Sequence, residues 1–134
     1  MSFDLPGITT NAGFFSPQAF HISSADFPSD GGAPIVYLQD DAFNGVNSDH
    51  IKMWAIYMDW TNMNTSTVSA ASEFPVTSFN AVFDGGSYNN LAQPNNGSSI
   101  DALQTVIMNQ AVFRKFSTHN SAIFNFVVDV DGSE

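Results

Sequence analysis

Residues 50–60 read H-I-K-M-W-A-I-Y-M-D-W, a stretch free of glycine and proline that holds both tryptophans of the chain. Taken with a period of two, one face carries Lys52, Trp54, Ile56, Met58 and Trp60. The other carries Ile51, Met53, Ala55, Tyr57 and Asp59. Both faces are largely apolar, so a strand here is expected to be covered on both sides. A helix would bury such a segment too, but the β-branched and aromatic content and the turn residues on each flank favour the strand. Trp54, Trp60 and Asp59 are candidate ligand-binding residues, because indole rings stack on sugars where a strand lines an open groove. The period sets Tyr57 on the opposite face from the two indoles, so the three rings cannot form one platform, and core packing is the expectation for them. Asp59 then needs a backbone amide, Lys52, Arg114 or Lys115 as partner, since an unpaired buried carboxylate is costly. Close to the strand end, it is expected to fasten the loop at Thr61 and Asn62.

Outward from this stretch, I-V-Y-L-Q (35–39) is a second strand, joined to the first through D-D-A-F-N-G-V-N-S-D (40–49) with Asn44-Gly45 as the turn. Residues 1–34 are punctuated by glycine and proline and read as irregular, with one strand within 14–22 and a turn at S-D-G-G (29–32). Downstream, T-N-M-N-T-S (61–66) is a loop and 66–70 a short strand. E-F-P-V-T-S-F (73–79) is an edge strand or strand start around Pro75. A-V-F-D-G-G-S (81–87) joins a short strand to a glycine turn, and 89–99 is a long polar loop. Residues 100–116 have partly helical spacing at first and strand alternation later; the expectation is a turn near 99–103 and strands beyond. Residues 121–132 read as one strand with Phe124, Phe126, Val128 and Val130 on one face. Together these predict a single all-β domain over 1–134, mainly of short antiparallel strands in a propeller-blade-like or sandwich arrangement, with its main sheet in 35–134.

The composition narrows the setting. Thirteen acidic residues stand against three basic ones, a formal charge of −10, and eleven of the acids are aspartates. Aspartate favours turns, where its short carboxylate reaches nearby amides. A field of this sign repels phosphate backbones, which excludes nucleic acid as a partner. Acidic loops suit calcium, which prefers oxygen ligands. Charged residues make up only 12% of the chain, about half the usual share, so its polar surface is mostly uncharged. There is no cysteine, which rules out disulfides, thiol catalysis and zinc–thiolate sites. No apolar run is long enough to span a bilayer, and the start of the chain does not have the pattern of a signal peptide.

The succession D-D-A-F (40–43), D-H-I-K-M-W (49–54), D-W-T-N-x-N-x-S-T (59–67), F-D-G-G-S (83–87), I-D-A-L (100–103), F-R-K-F-x-T-H-N-S (113–121) and V-V-D-V-D-G (127–132) resembles a segment of large, uncharacterised exported bacterial proteins with a β-propeller-like body. The resemblance implies a β fold and a secreted or cell-surface location. It implies no reaction and no catalytic residue. In such proteins a leader precedes the segment and an aromatic-rich strand follows it. As a fragment of a larger sheet, the segment would expose strand edges, which leads to the expectation of a different closure or of self-association as a homo-oligomer.

Other candidate sites are sparse. His21, His50 and His119 stand far apart, without the spacing of a metal motif. Asp129 and Asp131 in D-V-D-G imitate the first positions of a calcium loop and are the candidate metal ligands, set against a plain glycine turn. Asp40-Asp41 is the acidic pair that acid–base glycoside hydrolysis would need, yet neighbours on a strand point to opposite faces. Asn64-Thr65-Ser66 and Asn96-Gly97-Ser98 match the glycosylation sequon. The balance favours a non-enzymatic extracellular or cell-surface module for binding, adhesion or structure, with a carbohydrate or another surface component as partner. A fragment of a carbohydrate-active hydrolase using Asp40, Asp41 or Asp59, or a protein self-assembling through its sheet edges, are the alternatives.

Overall fold

The structure, a computed structural model, describes residues 4–8, 17–41, 46–80, 89–101, 106–108 and 110–128. It is all-β: the helices among these residues are single 3₁₀ turns of three residues each. The strands are β1 (Gln18–Ile22), β2 (Ala33–Gln39), β3 (His50–Tyr57), β4 (Thr67–Val68), β5 (Ser72–Pro75), β6 (Asn89–Gln93), β7 (Gly97–Asp101), β8 (Ala111–Lys115) and β9 (Asn120–Ile123). Seven of them form one sheet in the order β4-β3-β2-β1-β8-β9, with β5 also pairing with β3; β6 and β7 form a separate ribbon. Every pairing is antiparallel except β1 with β8, which is parallel and sets Phe20 opposite Ala111 and Ile22 opposite Phe113. The Asn44-Gly45 turn, the 81–87 segment and Asp129 and Asp131 lie outside the described residues.

The 50–60 stretch is extended through Tyr57 and sits inside the sheet, paired along its length with β2 and on its other edge with β5 and β4 in succession. Its two faces are covered by different means. On one, Val36, Leu38 and Ile51 pack with Phe20, Phe79, Ile107, Ala111 and Phe113 into the hydrophobic core. Each large aliphatic buried this way contributes about 1.5–3 kcal/mol. Phe124, Phe126 and Val128 pack against the same cluster, as their alternation predicts. On the opposite face lie Tyr37, Gln39, His50, Lys52 and Trp54, all buried. A strap from the N-terminal part crosses this face. The Trp54 indole N–H donates to Pro6 O at 2.8 Å, and the Lys52 ammonium donates to Gly7 O. Lys52 also pairs with Glu73 Oε1 at 3.2 Å.

Three expectations need correction. The polar stretch 89–99 is a hairpin rather than a loop: β6 and β7 turn on Pro94–Asn96, where Asn95 and Asn96 adopt φ of 58° and 57°. Asparagine reaches this left-handed region readily, so the same residues serve a tight turn as well as a loose one. Residues 99–101, expected in a turn, are therefore strand. The terminal strand is also shorter than its apolar pattern, with β9 ending at Ile123 and only an isolated bridge from Phe126 to Ile107 beyond it. There the phenylalanine side chains turn into the core while the ladder stops.

Candidate functional site

Where β3 passes from β5 to β4, its outer edge is briefly unpaired by strand. Residues 69–71 bow away there, tethered by the Ala55 N–H donating to Ser69 Oγ at 2.9 Å and the Ser69 N–H donating to Ala55 O at 2.9 Å. The bow opens a groove of about 420 Å³ whose lining includes Pro34, Met53, Ala55, Tyr57, Ser72 and Phe74. That volume lies within the range of small-molecule sites. Strand register explains why these residues meet: Pro34 lies opposite Ala55, Met53 opposite Ser72 and Ile51 opposite Phe74. The groove thus continues the core face past the point where the core ends, with Met53 between the two.

Tyr57 is the ordered wall of this groove. Its hydroxyl donates to Asp30 Oδ2 at 3.1 Å, and Asp30 Oδ1 accepts the Gly32 N–H at 3.1 Å. The Tyr57 ring lies so close over Gly32 that a β-carbon there would come within 2.9 Å of it and within 2.9 Å of Ala55 Cβ. The Gly32 amide and then the Tyr57 hydroxyl hold the Asp30 carboxyl below its usual range, and the bond to Asp30 raises the Tyr57 phenol above its own. Phe74, on the neighbouring strand β5 and in register with Ile51, is 51% exposed. The chain's three basic residues, Lys52, Arg114 and Lys115, are absent from the lining. Arg114 pairs instead with Asp26 at 3.1 Å, tying β8 to the turn after β1.

The sequence-derived site residues separate. Trp54 borders the groove, but it is buried at 2% exposure and its indole N–H is bonded to the strap on the opposite face of the sheet. Trp60, expected to pack in the core, is 80% exposed. β3 ends at Tyr57, so the alternation that placed Trp60 inside no longer applies three residues later. Asp59 fastens the loop as expected: its Oδ1 accepts the Thr61 and Asn62 amides at 2.9 and 3.0 Å, and its Oδ2 accepts the Thr65 hydroxyl at 2.6 Å. These bonds, Thr65 foremost, lower its pKa. The result is a pinned loop displaying Trp60 and the 51%-exposed Met63 at the end of the hairpin that borders the groove.

Asp40 and Asp41 have a third neighbour that the sequence did not suggest, Asp49, and oxygens of the three lie within 4.8 Å of one another. Antiparallel pairing of Gln39 with His50 brings the residues just beyond them together. This is the group among the described residues with the donor chemistry for a divalent cation. Asp40 and Asp49 are buried, and Asp49 already serves as a clasp: it accepts the Asp41 and Phe79 amides, each at 2.7 Å. Nearby, the His50 Nδ1–H donates to Ser48 O at 2.7 Å, which leaves Nε2 as an acceptor. Among the described residues, that Nε2 and Gln39 Oε1 are buried without a hydrogen-bond partner, although Glu73 Oε1 lies 3.9 Å from Nε2.

A second depression, of about 480 Å³, lies between β1 and β8 near His21 and Gln110 and is mainly polar. In comparisons with known proteins, no family model, no curated protein and no solved structure matches the chain.

Proposed function

We propose that this chain is a non-enzymatic binding module that receives a small ligand, or a side group of a larger one, in the groove between Tyr57 and Phe74. One observation carries the reading: a concave, mostly apolar site whose aromatic wall is locked from behind by Asp30 and Gly32. Such preorganisation reduces the ordering cost of binding. Of the three carboxylates that the hydrolase reading uses, Asp41 is exposed and the other two are engaged or buried. Asp59 spends both oxygens on its own loop, and Asp40 is buried at the end of β2. Trp60, on the adjoining hairpin, supplies a rigid aromatic contact of the kind that dominates interface energies. The secreted or cell-surface setting is part of the proposal and rests on the resemblance and on the uncharged polar surface.

The test is an NMR screen of the folded protein with cationic, neutral and anionic small molecules, repeated on Phe74→Ala. Ligands that shift Met53, Ala55 and Tyr57 resonances in the parent and lose the effect in the variant support the groove. A screen in which no compound moves these resonances overturns it. Replacing Asp40 and Asp59 separately covers the hydrolase alternative, which requires turnover that disappears while the melting temperature holds.

A further inference from the structure

Resting on the groove as the ligand site, we infer that its ligand class is an organic cation, a quaternary or alkylated ammonium group. Three observations converge. First, the lining includes two aromatic side chains, Tyr57 and Phe74, and the polarisable thioether of Met53. Aromatic faces attract cations through their quadrupole, and alkylated ammonium groups shed water easily enough to enter an apolar site. Second, a carboxylate sits directly behind one ring. Asp30 accepts the Tyr57 hydroxyl, placing negative charge next to the ring edge and enriching its face. An exposed aspartate is ionised at neutral pH, and the Gly32 amide, by donating to Asp30 Oδ1, favours that charged form further.

Third, charge complementarity excludes the opposite class. None of the chain's three basic side chains lines the groove, and Lys52 is held on the other face of the sheet by Gly7 and Glu73. An anionic ligand would meet no counter-charge locally and a net charge of −10 globally. A cation is drawn in by the same field, with faster association at low salt. A neutral sugar gains the stacking but none of the electrostatics, which makes charge the discriminating variable.

The experiment titrates the protein by NMR with choline, its neutral isostere 3,3-dimethylbutan-1-ol, methyl glucoside and propionate, at low and moderate salt. Choline is expected to bind about tenfold tighter than the neutral isostere, with the gap narrowing as salt rises. Phe74→Leu keeps apolar bulk and removes a ring, and should weaken choline about threefold to fivefold. Asp30→Asn should weaken choline more than the isostere, because both lose the fixed Tyr57 wall and only choline loses the charge. Equal binding of choline and the isostere, or tighter binding of the glucoside or propionate, overturns the cation assignment while leaving the groove as the site. Choline binding that neither variant weakens places the cation elsewhere on the acidic surface and also overturns it. If no probe moves the groove resonances of the folded protein, the groove itself is wrong.

Discussion

Asp49 holds Phe79 across thirty positions of sequence: the Phe79 amide donates to Asp49 Oδ2 at 2.7 Å, while the same carboxylate accepts the Asp41 amide through Oδ1. A carboxylate that is 4% exposed at the head of β3 thereby fixes both the turn after β2 and the entry of the Phe79 ring into the core.

Removing that clasp strands two backbone donors. Asp49→Ala is expected to destabilise the protein by about 3 kcal/mol, since bonds to charged groups are worth about 1.5–3 kcal/mol each and losses at one site do not add fully. Asp49→Asn should cost nearly as much, because its amide turns a donor toward a donor. Urea unfolding of the two variants measures this; an asparagine variant as stable as the parent contradicts the clasp. With both oxygens engaged in this way, a chelator should leave the parent's melting midpoint unchanged. A midpoint that falls on chelation and recovers with calcium assigns an ion to Asp40, Asp41 and Asp49.

Gly32 tolerates no side chain. A β-carbon there would meet Ala55 Cβ at 2.9 Å as well as the Tyr57 ring, and the Ala55 atom is fixed to the central strand. Gly32→Ala should cost about 1–3 kcal/mol, as overpacking does, and should shift the Tyr57 ring resonances. Gly31 has open space around it but a φ of 78°, so Gly31→Ala is strained by its backbone and should leave the Tyr57 ring where it is.

The Asp30–Tyr57 bond has a pH window. The Asp30 carboxyl is lowered, so its contribution is whole above the ordinary carboxylate value and is lost as pH falls through the depressed one. The Tyr57 phenol is raised, so its contribution is whole below the ordinary tyrosine value and is lost as pH rises through the raised one. NMR titration should show the Tyr57 phenol ionising late, and returning toward the ordinary range in Asp30→Asn. Identical curves for parent and variant rule the bond out.

The Trp60 loop should respond to acid only. Its Asp59 has a lowered pKa, so the loop keeps its bonds above the ordinary carboxylate value and loses them as pH falls through the lower folded one. Asp59→Asn should loosen the Thr61 and Asn62 amides, seen as faster hydrogen exchange, with little change in global stability. Trp60→Ala should likewise be close to neutral in stability, because its ring is mostly in water. A large loss of stability would mean that the indole packs against something.

The central sheet was legible because Ile35–Gln39 and the stretch after His50 combine β-branched and aromatic residues with turns on both sides. Covering of both faces was legible too. The kind of cover was not: nothing in Lys52 or Trp54 says that a strap would bond to both of them. Trp60 was misplaced because a period of two has no marker for where a strand stops. The groove escaped notice because it arises from a bow at 69–71, between two short strands whose pairing with β3 depends on register rather than composition. The β1–β8 partnership was equally hidden, as parallel pairing carries no local signature.

That last partnership bears on how the chain is made. In the finished sheet β1 lies between β2 and β8, sheltered on both sides. During synthesis its outer hydrogen-bonding groups, with Phe20 and Ile22 beside them, must wait until Ala111–Lys115 leaves the ribosome. A nascent hairpin of β1 and β2 is therefore a sticky template until then, open to a neighbouring polypeptide before its rightful partner exists. Yield of native protein should consequently depend on elongation speed and crowding more than its final stability suggests.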